Sequence, residues 1–319
     1  MDQVKQQRVV NDGRGADLFL IMLVNYLLKV VTLGIYHFWA KTRVRNYMWS
    51  HTLIDDERLQ YTGTGGELFV GFLKAVGLFI GFSISFVIVQ TIVGALPSPL
   101  GTVLGGILFF ALLVLLMVGV GAVLYQVNRY MLTRTNYRGI RCGLVGSAWY
   151  YGLLNAGLML AASLTLYLTL PWARMHLYRY SLNNHYFGSK RLEFEGSASD
   201  VYGYFFVCWL LAIPTLGLSL LAYRLHELRY VASRVSLDGV GCSVELYFWP
   251  YVGLLITNFL LLVFTLGLAY PWVKLRNVRF LLERVELVGE PDYPAIRQEM
   301  AHGDAVGEGF AEALDGAFA

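Results

Sequence analysis

Charged residues are scarce in this chain. Asp, Glu, Lys and Arg make up 15% of the 319 residues, whereas 56% are hydrophobic and the mean hydropathy is +0.53. Because an ordinary soluble domain is about one quarter charged, this composition argues against a soluble protein. The net charge of +3 is small and localised, which favours contact with anionic lipid headgroups over binding to a nucleic acid.

Cysteine is also sparse. The chain has three cysteines, Cys142, Cys208 and Cys242, and no CxxC motif, so a disulfide bond is not expected. The first 17 residues lack the basic start, the apolar middle and the cleavage site of a signal peptide. The first apolar run is therefore expected to be retained.

Motifs that carry known catalytic chemistry are missing. The sequence has no HExxH zinc motif, no GxSxG motif, and no Lys-Ser or Lys-Thr after the glycine-rich stretch 63–66. The six histidines are scattered without the spacing of metal ligands. Because catalysis needs groups that converge in one pocket, we predict that the chain is not an enzyme and holds no cofactor or metal.

Long apolar runs dominate what the sequence does contain. A helix that spans a bilayer needs about 20 mainly apolar residues. Six runs meet this requirement: 18–38, 68–95, 100–124, 148–170, 201–222 and 246–270. The sequence therefore predicts an all-α multi-pass transmembrane protein with about six membrane segments in internal repeats, and with small interfacial β-hairpins between them.

Several runs end in copies of one motif. Thr-Leu-Gly or a close variant begins at Thr32, Thr165 and Thr265, with a weaker copy at Thr215. Each threonine hydroxyl is predicted to bond to a helix carbonyl and to bend the helix there. A fixed spacing of similar segments is typical of duplication, and pairs of Arg and an aromatic residue recur at a 50-residue spacing: Arg129-Tyr130, Arg179-Tyr180, Arg229-Tyr230 and Arg279-Phe280.

Polar stretches of alternating residues follow these motifs. Turn signals such as Asp238-Gly239 predict β-hairpins, because Asp and Gly tolerate the positive φ of a tight turn. The predicted segments are a polar N-terminal segment (1–17), repeat 1 (18–67), a helical hairpin with a second basic hairpin element (68–146), repeat 2 (147–196), a half-repeat (197–246), repeat 3 (247–290) and an acidic tail (291–319). The tail is either a solvated segment or a short amphipathic helix that meets a partner.

The orientation of the segments is not fixed by charge. If all six runs cross, the basic elements alternate between the two sides, and Lys and Arg divide almost evenly. The positive-inside rule then selects no orientation. Inverted crossings are favoured, because each run is long enough to span once. The alternative is that later segments dip into the bilayer and return.

Residues 32–52 carry a resemblance to a known family. They contain Thr-Leu-Gly-Ile-Tyr, Trp-Ala-Lys and Arg-Val-Arg-Asn-Tyr. Together with residues 58–69 they resemble the YjgN-like bacterial inner-membrane proteins, a domain of unknown function, and the likeness recurs at 171–196 and 271–289. The resemblance implies a multi-pass protein of the inner (cytoplasmic) membrane. Some members are encoded beside a membrane-associated zinc peptidase, which suggests such a peptidase as a partner.

The chain departs from the family pattern at two places. His37-Phe38 stands where a Pro usually precedes the Trp, and Asp56 stands where the family often has Gly. The first interface turn is therefore expected to be less sharply bent.

Polar residues inside or beside the apolar runs are the candidate contacts. Asn25, Lys29 and Asn258 lie inside the runs, where such residues face a cavity or pair between helices; Lys29 is long enough to reach the interface instead. The candidate interface and headgroup residues are Trp39, Lys41, Arg43, Arg129, Trp172, Arg174, Arg179, Arg229, Trp272, Lys274 and Arg279. They could bind phosphate headgroups or simply anchor the chain.

Two functions remain open from the sequence. The first is the non-enzymatic handling or transport of a lipid or small solute, with membrane lipids as partners. The alternative is a scaffold whose hairpins and acidic tail dock another membrane protein, such as a zinc peptidase. No nucleic-acid partner is expected, because no recognition module is present.

Overall fold

Four of the six apolar runs turn back on themselves. The computed structural model describes residues 6–97, 99–289 and 296, and within these residues the chain forms ten helices and eleven strands. The helices are α1 (Gly15–Val31), α2 (His37–Ser50), α3 (Gly65–Gly94), α4 (Leu100–Thr133), α5 (Ala148–Leu164), α6 (Leu170–Asn183), α7 (Ala198–Leu210), α8 (Leu218–Ser233), α9 (Phe248–Phe264) and α10 (Tyr270–Leu282).

The strands join into a single antiparallel sheet. They are β1 (Gln6–Asn11), β2 (Thr52–Ile54), β3 (Glu57–Arg58), β4 (Gln60–Tyr61), β5 (Thr135–Tyr137), β6 (Ile140–Leu144), β7 (His185–Phe187), β8 (Lys190–Phe194), β9 (Val235–Leu237), β10 (Val240–Val244) and β11 (Val285–Val288). The order is β3-β2-β1-β11-β10-β9-β8-β7-β6-β5-β4. Only Leu59 separates β3 from β4 in the chain, so the sheet curves until its two edges are neighbours.

Tight turns connect the strand pairs at the predicted positions. Asp238 and Gly239 have φ of 51° and 82°, and they link Leu237 to its partner Val240. The first turn uses two aspartates, Asp55 and Asp56, at φ of 49° and 63°.

The backbone of the Thr-Leu-Gly turn at Thr32 also matches the backbone of the later copies of this turn. Leu33 and Gly34 have φ of 51° and 91°, against 49° and 85° for Leu266 and Gly267. The expectation of a less sharply bent first turn is therefore wrong.

Each of the four turned runs forms an antiparallel helical pair. We call α1, α5, α7 and α9 the outgoing helices, and α2, α6, α8 and α10 the return helices. In the first pair Leu18 packs near Met48, and the Asn25 amide donates to the Ala40 carbonyl. The start of α1 therefore lies beside the end of α2, and the two helices stay in contact towards the turn. The strands β1 and β2 adjoin the open end of this pair.

The return helices begin where the sequence favours a new helix. Pro171 and Pro271 lie in the first turns of α6 and α10, where a missing backbone N–H costs nothing. Each helix contacts the next in chain order, and α10 contacts α1. The described helices therefore form a closed circuit that joins the two ends of the chain.

The predicted six-span all-α membrane fold is wrong. The hairpins are not separate, because their strands belong to one sheet. One sheet cannot lie on both sides of a bilayer, so the inverted crossings are wrong as well. Among the described residues, one helix, Leu100–Thr133, is long and apolar enough to cross a membrane; Ile80–Gly94 and Phe248–Phe264 are shorter apolar stretches.

The concave side of the sheet holds its own small core. Tyr137, Ile140, Phe187 and Ile296 are buried together there, with Cys142 packed against them. Burial raises the pKa of the Cys142 thiol to about 11, so the thiol stays protonated at neutral pH. Apart from Ile296, the predicted acidic tail 291–319 lies outside the described residues.

Candidate functional site

The distribution of polarity is reversed relative to a soluble protein. In α9, Asn258 is the residue buried among mainly apolar neighbours that face outward. The basic return helix α10 instead buries Pro271, Val273 and Leu275. In this pair the helix that carries the charges therefore lies further inside the molecule than its apolar partner.

A buried carboxylate lies between two return helices. Glu227 of α8 is fully buried, and its Oε2 accepts hydrogen bonds from Nη1 of Arg174 at 2.7 Å and Nη1 of Arg224 at 2.6 Å. Arg224 Nη1 also donates to the Tyr178 hydroxyl of α6 at 2.6 Å. We call these residues, with the adjacent Tyr223, the Glu227 cluster.

Two buried polar atoms of the Glu227 cluster have no hydrogen-bond partner among the described residues. They are Oε1 of Glu227 and the hydroxyl of Tyr223. An unpartnered buried polar atom costs about 1–3 kcal/mol, and the charge of Glu227 acts on Tyr223, so the occurrence of both atoms in one cluster needs a reason. The cluster is not sealed, because the side chains of Arg174 and Arg224 are 32% and 41% exposed.

A second group of cations lies between α2 and α10. Lys274 lies close enough to Arg45 and Lys41 for their positive charges to act on it. None of the three has a carboxylate partner among the described residues, although Arg45 donates to the Tyr61 hydroxyl at 3.2 Å. Arg45 and Lys274 are half-buried and Lys41 is exposed, and unpaired like charges grouped in this way attract an anion.

Four cations hold the same position in the sequence motif. Lys41, Arg174, Arg224 and Lys274 each stand two residues after the Trp position of their motif. Sequence reasoning missed Arg224, because Ala222 replaces the Trp in that copy; the spacing of 50 residues from 174 to 224 to 274 is the signal that finds it.

Glu227 was missed for a different reason. A single acid in a basic stretch is usually a solvated surface residue. The sequence feature that could have identified Glu227 is that it is the one Asp or Glu in the four return helices.

Three of the predicted arginines hold the strand-to-helix junctions. Arg179 donates to the Gly196 carbonyl at 2.9 Å, and Arg279 donates to the carbonyls of Asn11 and Gly13. Arg129 donates to the Leu144 carbonyl at 2.9 Å. Arg229 differs, because it stacks on the Tyr247 ring and its Nε has no partner among the described residues.

The aromatic members of these pairs fasten the same junctions. The Tyr180 hydroxyl accepts the Ser147 N–H at 2.9 Å, and the Tyr230 hydroxyl accepts the Ser197 N–H at 2.7 Å. These Tyr side chains thus tie the starts of α5 and α7 to the return helices α6 and α8.

The predicted intramembrane residues lie between helices, away from the Glu227 cluster. Asn25 bonds to the Ala40 carbonyl at 3.3 Å, and Asn258 bonds to Asn277 Oδ1 at 2.7 Å. Both amide oxygens lack a partner among the described residues. Lys29 lies beside His37 near the first turn, where its charge acts on the imidazole.

The remaining predicted residues pack along the return helices. Trp39 and Trp272 lie against Gly65 and Gly15, where a Cβ would collide with the indole. Trp172 contacts the His176 ring, and Arg43 lies over the Tyr36 ring. Of the predicted interface residues, the structure therefore brings Lys41, Arg174 and Lys274 into the two charged groups and leaves these aromatics at helix contacts.

The turns between outgoing and return helices are bonded within themselves. The Thr265 hydroxyl donates to the Leu261 carbonyl at 2.6 Å, as predicted, and accepts the Ala269 N–H at 3.1 Å. The N–H of Gly267 reaches the Leu262 carbonyl at 2.8 Å. The same threonine-to-carbonyl bond occurs in the other three turns, at Thr32, Thr165 and Thr215.

Large apolar side chains project from these turns. The leucine after each threonine has a φ of about 50° and is between 71% and 95% exposed: Leu33, Leu166, Leu216 and Leu266. A turn with satisfied backbone groups and exposed leucines suits hydrocarbon, where water cannot complete the hydrogen bonds.

Family comparison identifies the chain. A family described as "Bacterial protein of unknown function (DUF898)" matches residues 6–225 and again residues 211–313. The chain belongs to this family. Its resemblance to YjgN-like proteins is confirmed by curated relatives of that name, and no solved structure matches the chain significantly.

The relatives support a location in the inner membrane. The chain is 31% identical over 160 residues to "Inner membrane protein YjgN" of Salmonella typhimurium, which covers 50% of this chain and 38% of that protein. It is 32% identical over 150 residues to the protein of that name from Escherichia coli O157:H7, which covers 46% of this chain and 34% of that protein. The chain thus matches well under half the length of these curated relatives.

Proposed function

We propose that the chain is an inner-membrane protein that handles an anionic lipid or small anionic solute without a covalent step. The observation that carries the proposal is the reversed polarity of the helical pairs. Leucines such as Leu216 and Leu266 project outward, whereas Arg174, Arg224 and Lys274 of the return helices are half-buried. This arrangement gives an apolar surface for lipid and a charged interior for an anion.

Helix lengths decide how the chain meets the bilayer in this proposal. The outgoing helices have 13–17 residues, or about 20–25 Å, at 1.5 Å per residue. The hydrocarbon core is about 30 Å thick, so each pair enters and returns. Helix α4 has 34 residues and is long and apolar enough to cross, and α3 has 30 residues. In this proposal α3 crosses beside α4, and the chain is multi-pass through this pair.

The handling of an anion follows from the unpaired cations. Lys41, Arg45 and Lys274 repel one another, and an anionic headgroup or solute would relieve that repulsion. The hydrogen bonds of the repeated Arg and Tyr side chains hold the return helices in place while such a ligand binds. Binding and release of a charged headgroup in an otherwise apolar region require no chemical reaction.

Insertion can be tested by labelling single cysteines. In a variant without the three native cysteines, Leu266→Cys should resist a membrane-impermeant maleimide in both spheroplasts and inverted vesicles. Asp238→Cys, in the β9–β10 turn, should be labelled from one side only. Equal labelling of the two positions would contradict insertion of the turns.

Handling can be tested with purified protein in liposomes. Lys41→Met together with Lys274→Met should reduce binding or movement of a fluorescent anionic phospholipid, whereas Lys190→Met, a cation paired with Asp238 on the sheet, should not. If wild-type protein binds and moves no lipid or anion beyond empty liposomes, the proposed function is wrong. A cellular role that needs residues 301–319 but neither lysine would favour the scaffold instead.

A further inference from the structure

We infer that the Glu227 cluster is a headgroup site for a phosphate ester that carries a neighbouring hydroxyl group, as in a phosphoglycerol. The inference rests on the proposed function, because it names the ligand of that interior. It uses the Glu227 cluster alone and does not involve Lys41, Arg45 or Lys274.

The charge of the Glu227 cluster favours an anion. Arg174 and Arg224 both donate through Nη1 to the same carboxylate oxygen, Oε2 of Glu227. Two positive charges therefore share one negative charge. Within the described residues the hydrogen bonds of both arginines run through Nη1, and each arginine is partly exposed. Planar guanidinium groups with free N–H donors match the oxygens of a phosphate.

The unpartnered atoms require a second chemical group. Oε1 of an ionised Glu227 can only accept a hydrogen bond, so a phosphate oxygen cannot fill that position. The Tyr223 hydroxyl can donate or accept. A ligand hydroxyl satisfies both, because it donates to Oε1 and accepts from Tyr223. An ammonium group would also donate, but it would add a third positive charge around one carboxylate.

Tyr223 gives the sharpest test. Its hydroxyl has no partner within the described part of the chain, so Tyr223→Phe removes nothing that holds the fold together. Wild-type protein in nanodiscs should bind phosphatidylglycerol more tightly than phosphatidic acid, which lacks the glycerol hydroxyls of the headgroup. Tyr223→Phe should reduce that preference about fivefold, the effect of one neutral hydrogen bond, and should leave the thermal midpoint unchanged or higher.

Tyr125→Phe is the matched control. Tyr125 is equally buried, but its hydroxyl donates to the Val145 carbonyl. This variant should lower the thermal midpoint and leave the lipid preference unchanged. A Tyr223→Phe protein with an unchanged preference would overturn the inference, since the hydroxyl would then meet only water.

A competition experiment distinguishes a soluble phosphoglycerol from the headgroup of a membrane lipid. Free glycerol 3-phosphate that competes with phosphatidylglycerol at similar concentration supports a soluble phosphoglycerol as the ligand. Binding that is seen only with the lipid supports the headgroup of a membrane lipid. If phosphatidylglycerol and phosphatidic acid bind equally to wild-type protein, the hydroxyl site is wrong while the proposed handling of anions stands. If neither lipid binds and glycerol 3-phosphate does not bind either, the proposed function fails as well.

Discussion

Thr265→Val tests whether the turns lie in hydrocarbon. Valine has the shape of threonine and a similar χ1 preference, so the substitution removes the hydroxyl and little else. The Leu261 carbonyl keeps its bond from the Thr265 N–H at 3.1 Å. The Ala269 N–H loses the threonine oxygen that it reaches at 3.1 Å, which is the partner the structure gives it.

The expected cost depends on what surrounds the turn. A buried donor that loses its partner destabilises a protein by about 1–3 kcal/mol, and the penalty is larger where no water is available. We therefore expect about 2 kcal/mol for Thr265→Val. If the turn is exposed to water instead, the freed N–H is hydrated, and the cost falls below about 0.5 kcal/mol.

The measurement is reversible unfolding in mixed micelles, with SDS as denaturant and far-UV circular dichroism as the signal. Thr42→Val is the matched control, because the Thr42 hydroxyl donates to the Phe38 carbonyl at 3.1 Å and accepts no backbone N–H among the bonds of the described residues. That variant should cost well under 1 kcal/mol. A Thr265→Val protein as stable as Thr42→Val would refute the placement of the turn in lipid.

Two further predictions concern charge. Glu227→Gln should destabilise the fold by about 2–4 kcal/mol, because two guanidinium groups lose their common counter-charge, and adding Arg174→Met should recover part of the loss in the same SDS titration. On the sheet, the hydrogen bond from Arg58 lowers the pKa of the Asp12 carboxyl below its ordinary 3.8. The pair therefore stabilises the fold above that pH and stops doing so as the pH falls through the lowered value. The difference in unfolding free energy between wild type and Asp12→Asn should shrink from pH 7 to pH 3, and a constant difference would contradict the assignment.

Local signals in the sequence locate most of the turns. Asp238-Gly239 and Arg138-Gly139 occur at hairpin turns with positive φ, because tight turns depend on the residues that form them. The hydrogen bonds from the threonine hydroxyls of the Thr-Leu-Gly turns are equally local, since donor and acceptor lie four residues apart. Such features can be predicted from a short stretch of chain.

The sheet and the direction of the runs could not be predicted in this way. Pairing of β1 with β11 joins strands near opposite ends of the chain, and no local pattern specifies it. Hydropathy also cannot distinguish a run that crosses from one that returns, because the turn is as apolar as the helices. The Thr-Leu-Gly turn satisfies its own backbone, so the polar signal that normally marks a membrane exit is missing.

The site was predicted only in part. Lys41, Arg174 and Lys274 were recognised as charges next to apolar helices, but the sequence placed them at the membrane surface. The half-buried positions of Arg174 and Lys274 depend on the return helices folding back against the outgoing ones. The role of Glu227 depends on the contact between α6 and α8. Arg174 and Glu227, which meet there, are 53 residues apart in the chain, and no motif of this sequence specifies that contact.

A single sheet also resolves the even division of basic residues. That division arose from the assumption that successive hairpins alternate sides. When every hairpin belongs to one sheet, the proposed insertion puts the Lys and Arg of all hairpins on one side, and the positive-inside rule then favours the cytoplasm for the sheet. Asp238→Cys should accordingly be labelled by an impermeant maleimide in inverted vesicles and protected in intact spheroplasts. Labelling in spheroplasts would place the sheet on the periplasmic side, and the charge of the hairpins would then need another explanation.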